Sequence, residues 1–297
     1  MPHFGLSPAR QGMIFGLIAA VIWGAFYTVS RHAIGAGMSA GAIAFVRYVT
    51  TAAVLAPFAF RRFGQIREFG WGRGLILAFL GGPVFVIISA YGYHFAPLSH
   101  GAVLQLGSIT IFCALGGALW LGEHFSLRGL AGLLILVAGL AVVAGPGLLT
   151  GGGTAWIGDC LFILAGLMWA AFTILLKRWK ADAIAATIAV TYFSALLYCP
   201  AYFLLNGAGA LFSAPASVVL EQALVQGILT GIVALFAYSR AVHLLGAARA
   251  SVFTAVAPLA SILIGIVLVH EVPTPGQWLG LVVASIGMAV ILRPAPR

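Results

Sequence analysis

From Gly129 to Gly145 the chain runs without a single charged side chain, and similar apolar blocks recur along its whole length. A membrane-spanning helix needs about 20 predominantly apolar residues. Hydrophobic residues make up 62% of the chain and charged ones 7%, with a mean hydropathy of +1.11. A soluble domain carries about 25% charged residues, so a water-soluble core protein is excluded. The blocks are solid rather than alternating, which excludes a barrel built from ~10-residue strands. The sequence therefore predicts an all-α membrane protein. At roughly 30 residues per span and connection, the length leads to about ten transmembrane helices.

Helices are predicted at 12–30, 39–60, 73–95, 99–121, 126–148, 155–176, 183–205, 219–244, 247–269 and 276–293. The first is read as retained, because no small-residue cleavage site follows it. With the N-terminus inside, every lysine and arginine except Arg31 and Arg47 falls inside. That asymmetry obeys the positive-inside rule and puts both termini in the cytoplasm. The net charge of +9 therefore reflects topology. There is no arginine-rich run, and no nucleic-acid partner is expected. Cys113, Cys160 and Cys199 lie in apolar blocks and read as buried hydrophobes.

The chain also repeats itself. Ile22-Trp23-Gly24-Ala25-Phe26 aligns with Met168-Trp169-Ala170-Ala171-Phe172, and Ala90-Tyr91 with Ala237-Tyr238. Gly122-Glu123 followed by Gly132 and Gly139 matches Glu271 followed by Gly280 and Gly287 at the same distances. Residues 1–150 and 151–297 each hold five helices. An odd number forces the copies to cross the membrane in opposite senses, which gives a 5+5 inverted repeat, an architecture of secondary transporters.

These residues resemble the drug/metabolite transporter superfamily, in particular its EamA-type ten-helix exporters. The resemblance rests on Trp23-Gly24 and Trp169-Ala170 in the first helix of each half. It also rests on Arg47 within Phe45-Val46-Arg47-Tyr48, and on the glutamate with spaced glycines that ends each half. The sequence departs from the family pattern at Thr110, where a proline is usual, and at His270, which precedes Glu271 in place of glycine. The resemblance implies export of small organic solutes across a bacterial inner membrane. Amino acids or related metabolites lead, and aromatic ones are favoured by analogy with similar family members. The alternative is a multidrug exporter of lipophilic cations.

Arg47 is the strongest anomaly. It lies roughly 12 Å from the nearer end of its helix at 1.5 Å per residue, where a charge costs about 2.5–3.5 kcal/mol to insert. It is read either as a docking charge for a substrate carboxylate or as a cap for carbonyls freed at a helix break. Trp23 and Tyr27, one turn apart, are repeated by Trp169 and Thr173. They are read as the lining of a central pocket where equivalent helix faces meet, or as an interfacial belt. Ser251, Thr254, Pro258 and Ser261 form a polar stripe, and Gln105 and Ser108 share a face of helix 4. Stripes of this kind line a pathway or pack helices. Gly81-Gly82-Pro83 predicts one helix break and Pro258 a kink. Tyr91 and Tyr238 are read as gates or as interfacial anchors.

The acidic residues fall at predicted helix ends or in loops, so no carboxylate proton relay is expected at mid-membrane. Glu123 and Glu271 are expected to tie the helix 4–5 and 9–10 hairpins. Histidine is the side-chain type suited to proton exchange near neutral pH, but His94, His100 and His243 sit at predicted ends, and the sequence is equally consistent with proton-coupled and facilitated export. There is no nucleophile–base constellation, no metal-ligand cluster and no phosphate loop. The chain is therefore expected not to be an enzyme and to need no cofactor or metal. Its expected partners are a small-molecule substrate and the lipid bilayer. It is expected to be a monomer or a weak dimer through Gly276 and Gly280.

Overall fold

The computed structural model describes residues 7–61, 70–121, 127–145, 153–181, 183–207, 209, 213–245 and 250–292. It leaves out the side chains of 60, 61, 121, 183–185, 251, 252 and 292. Glu123 and the charged residues Arg62, Arg67, Glu68, Asp182, Arg249, Arg293 and Arg297 lie outside the described residues.

Apolar helices account for the fold among the described residues. They are α1 Pro8–Gly35, α2 Ala40–Arg61, α3 Trp71–His94, α4 Leu98–Trp120, α5 Leu127–Ala144, α6 Ala155–Arg178, α7 Ala183–Asn206, α8 Ala216–Leu245, α9 Phe253–Leu268 and α10 Pro275–Leu292. Eight are long and apolar enough to cross a membrane, and α9 and α10 are shorter apolar helices. α1 begins where the Ser7 hydroxyl accepts a hydrogen bond from the Arg10 amide, with Pro8 in the first turn, a position that suits proline's missing N–H. It runs on to Gly35. Arg31, read from the sequence as part of a connection, is therefore on a helix and faces a partner.

The break expected at Gly81-Gly82-Pro83 is present, and the kink expected at Pro258 is not. α3 is interrupted at Gly82, between Trp71–Gly81 and Pro83–Tyr91, with Pro83 opening the second piece. Pro258 does not kink a continuous helix. It stands in the first turn of the regular helix Ala257–Leu268, after a 3₁₀ turn over Ser251–Val256. α4 and α8 also depart from regularity, with π-helical stretches at Gly101–Gln105 and Ala223–Val233. Such stretches often mark functional positions.

Exchanging the two halves maps the packing onto itself. α1 packs on α8 and α9, while α6 packs on α3 and α4; α2 meets its equivalent α7, and α5 meets its equivalent α10. The α5–α10 contact fixes the relation between the halves. Gly132 approaches Val290 and Ile291, Gly139 approaches Ala284, Gly280 approaches Val143, and Gly287 approaches Leu136. One index rises as the other falls, so these equivalent helices run antiparallel. A methyl group at Gly280 would lie 2.8 Å from the Gly139 carbonyl oxygen. Only glycine allows backbones this close, which is how small residues drive packing in lipid. Gly280, expected to serve association between chains, is thus used within the chain.

Gly139→Val would force its side chain into the Ala284 backbone, which cannot yield as a side chain tip can. It should cost about 1–3 kcal/mol or more of stability. Gly276→Val, with only Thr274 nearby, should change little. Thermal unfolding of the two purified variants in detergent checks the contrast.

Candidate functional site

Three groups of polar side chains stand out, buried or partly buried. The first surrounds Arg47. Its residue is 8% exposed, and Nη1 donates to Gln226 Oε1 on α8 at 2.9 Å. Gln226 Nε2 donates to the Ser30 hydroxyl at 2.7 Å, and Ser30 Oγ donates to the Phe26 carbonyl. Thr51 Oγ1 bonds the carbonyls of Arg47 and Gly227, each at 2.8 Å. The guanidinium lies 5.4 Å from the Phe26 ring centre and 5.7 Å from that of Tyr48, within cation–π range. One of the two sequence readings, Arg47 as a carbonyl cap at the helix break, finds its role taken by a neighbour. The Tyr48 hydroxyl donates to the Gly81 carbonyl at 3.0 Å, where α3 breaks.

An aromatic series leads from this cation to the other half. Phe26 meets Tyr27 edge-on at 5.0 Å and stacks near Phe85 at 6.5 Å. Phe85 contacts Trp169 at 5.0 Å, and Trp169 stacks on Phe172 at 5.1 Å. Trp23 lies elsewhere, against Tyr238 on α8 at 5.1 Å. The two tryptophans therefore make no ring contact with each other among the described residues. Each packs on the third helix of the opposite half, as the exchange of halves requires. Tyr27 is buried, whereas its counterpart Thr173 is exposed and bonds its own helix at Trp169 O.

The second group joins α3 and α4. Ser89 Oγ donates to Gln105 Oε1 at 2.7 Å, and both residues are buried. Gln105 Nε2 is buried without a hydrogen-bond partner. Ser108, also buried, packs against Gly166 of α6. The α9 stripe is divided. Ser261 is fully buried, and its carbonyl accepts from Thr28 at 2.8 Å. Thr254 is partly buried, and the Ser251 side chain lies outside the described ones.

The third group holds the ion pairs, all at the end of the bundle where α1 finishes. Arg31 Nε donates to Glu271 Oε1 at 2.5 Å, and Glu271 Oε2 accepts the Leu98 amide at 2.8 Å. Glu271 thus binds the α9–α10 connection to α1 and to the start of α4, rather than holding its own hairpin alone. His270 precedes it with φ 55°, a left-handed conformation where the family pattern has glycine. His32 Nδ1 lies 2.8 Å from Glu221 Oε2, and His100 Nδ1 lies 2.7 Å from Asp159 Oδ1. Two cavities of about 130 and 270 Å³ flank the Arg31–Glu271 pair. Tyr91 is exposed near this end, against His94 and Phe95. One sequence expectation needs correcting, since Cys160 is exposed rather than buried. His100 and Asp159 lie near the starts of α4 and α6, as expected, and are 6% and 2% exposed.

Sequence reading missed Gln226, Phe26, Phe85 and Tyr48. Gln222 and Gln226 carried a usable signal, since two amides one turn apart inside an apolar helix must face protein or water. Gln222 Nε2 indeed donates to the Val29 carbonyl at 2.9 Å.

Among the described residues the three carboxylates are all paired, with Arg31, His32 and His100, and none pairs with Arg47. A buried cation set between two related helical halves, with apolar helices long enough to span a bilayer around it, defines a multi-pass membrane protein with a polar interior. The EamA-like transporter family matches the chain twice, over residues 10–145 and 156–293, and the chain belongs to that family. A crystal structure of another protein aligns over 95% of this chain and 96% of its own, with a TM-score of 0.56 and 17% identity. That likeness speaks for the fold alone. No curated protein matches in sequence.

Replacing Gln226 with leucine should leave the buried Arg47 without its acceptor and cost roughly 1.5–3 kcal/mol. The double variant Arg47→Leu with Gln226→Leu should recover most of the loss. Unfolding midpoints of the two variants and the parent check this.

Proposed function

We propose that the chain is a secondary carrier with ten transmembrane helices in two inverted five-helix halves, residues 1–150 and 151–297. It sits in a bacterial inner membrane with both termini in the cytoplasm. It exports small carboxylate-bearing organic solutes, aromatic amino acids foremost, by alternating access, as a monomer or a weak dimer.

The observation that carries this reading is Arg47, a buried guanidinium with no carboxylate partner among the described residues and a neutral amide as its acceptor. A substrate carboxylate can displace Gln226 and bind in bidentate fashion, a stronger interaction than the amide provides. The rings of Phe26, Phe85 and Trp169 offer faces to an aromatic side chain. The antiparallel meeting of α5 and α10 supports inversion, because equivalent helices that both cross a bilayer antiparallel cross it in opposite senses. Export of lipophilic cations fits less well. Arg47 repels them, and each described carboxylate already has a basic partner.

The test is counterflow of labelled L-phenylalanine in proteoliposomes, with tetraphenylphosphonium as the cationic comparison. Arg47→Gln should lower phenylalanine exchange by about tenfold or more, since a charged hydrogen bond is worth ~1.5–3 kcal/mol. Any tetraphenylphosphonium movement should be spared. Equal loss for both solutes, or no phenylalanine exchange by the parent chain, would overturn the reading. Trp169→Ala should raise the half-saturating phenylalanine concentration by about tenfold. Trp23→Ala, outside the Arg47 series, should raise it less.

A further inference from the structure

The buried pair His100–Asp159 has no part in gripping a solute, yet it is the most enclosed ionisable contact of the described residues. Its side chains are 7% and 3% exposed, against 27% and 26% for Arg31–Glu271. It joins α4 of the first half to α6 of the second at 2.7 Å. We propose that this pair is the proton site of the carrier, taking one proton from the outer side for each solute exported; the inference rests on the carrier reading above.

The chemistry follows from burial. A neutral imidazole donating Nδ1–H to the Asp159 carboxylate leaves the pair with a net charge of −1. One proton added at Nε2 makes an imidazolium–carboxylate pair of net zero. A buried uncompensated charge is costly. The loaded pair therefore favours the enclosed setting seen here, and the empty pair favours one in which water reaches it. The proton enters when the outer side is open and leaves when the cytoplasmic side is open, so one proton moves in for each cycle. Titratable or charged groups on the elements packed around the pair are few. The last turn of α3 brings Tyr93, whose hydroxyl abuts Gly101, and His94; α1 brings Tyr27 and Arg31 beside Tyr93; the segment after α9 brings Glu271. Described parts of α5, α9 and α10 bring none to this end. The pair also connects along α4 to a second buried polar group. The π-helical turn Gly101–Gln105 starts directly after His100 and ends at Gln105, whose Nε2 is without a partner.

Proteoliposomes of the full chain with a lumen tenfold more acidic than the medium should accumulate labelled L-phenylalanine by about tenfold at one-to-one coupling. Asp159→Asn and His100→Asn should lose this accumulation and keep phenylalanine counterflow. Asparagine at position 100 keeps a donor toward Asp159 but has no titratable nitrogen, which guards against a variant that fails to fold. In detergent, an indicator dye should record proton release on phenylalanine addition to the parent chain and none from His100→Asn. Two results would overturn the proposal: accumulation in His100→Asn equal to the parent, or no accumulation by a parent whose counterflow runs. Absence of counterflow in the parent would instead sink the carrier reading itself.

Discussion

A bilayer interior offers no water to an unmet polar group, and this constraint governs the molecule at each level. It selects helices, which satisfy their own backbone. Where a helix breaks, it calls for a side chain to take over, as the Tyr48 hydroxyl does at the Gly81 carbonyl. It gives Gln222 and Gln226 their partners on α1. It also sends the described carboxylates to one end of the bundle, each against a basic group. Against that regularity, the Arg47 guanidinium is met by an amide and two ring faces and by no carboxylate among the described residues.

The scaffold is two-fold in character and its chemistry is not. α1 and α6 pack alike, each against the third and fourth helices of the opposite half. Glycine-lined α5 and α10 close against each other with backbones in contact. Arg47 has no charged counterpart in the second half, where the aromatic series runs out to Trp169 and Phe172 instead. The unequal side chains set a cation at one end of the aromatic series and none at the other.

Much of the scaffold was legible in the sequence because hydropathy and glycine spacing act locally. The helix positions follow from apolar blocks, and the α3 break from Gly81-Gly82-Pro83, where proline cannot continue the helix. The ends of α1 were harder, because Arg31 and His32 look like connection residues until their partners are known. Arg47 announced itself by cost alone. Its partner Gln226 is 179 residues away, and no periodicity links them. Tyr48, Phe26 and Phe85 are ordinary residues for an apolar helix, so their roles appear only once helices are packed. Asp159 and His100 lie near helix starts, where they are expected, but their burial against each other was not legible, because sequence gives depth along a helix and not direction around it.

In the proposed carrier, two halves move against each other around a carboxylate held near Arg47. Paired spin labels test this most directly, in a chain whose three native cysteines are replaced. One pair belongs at the Glu271 end, at Gly35→Cys and Val272→Cys, and the other at the opposite end, at Gly72→Cys and Arg178→Cys. Added phenylalanine should shift the two distance distributions in opposite senses, one end widening as the other narrows. Distances that stay fixed at both ends in a chain that exchanges phenylalanine, or that change together in the same sense, would contradict it.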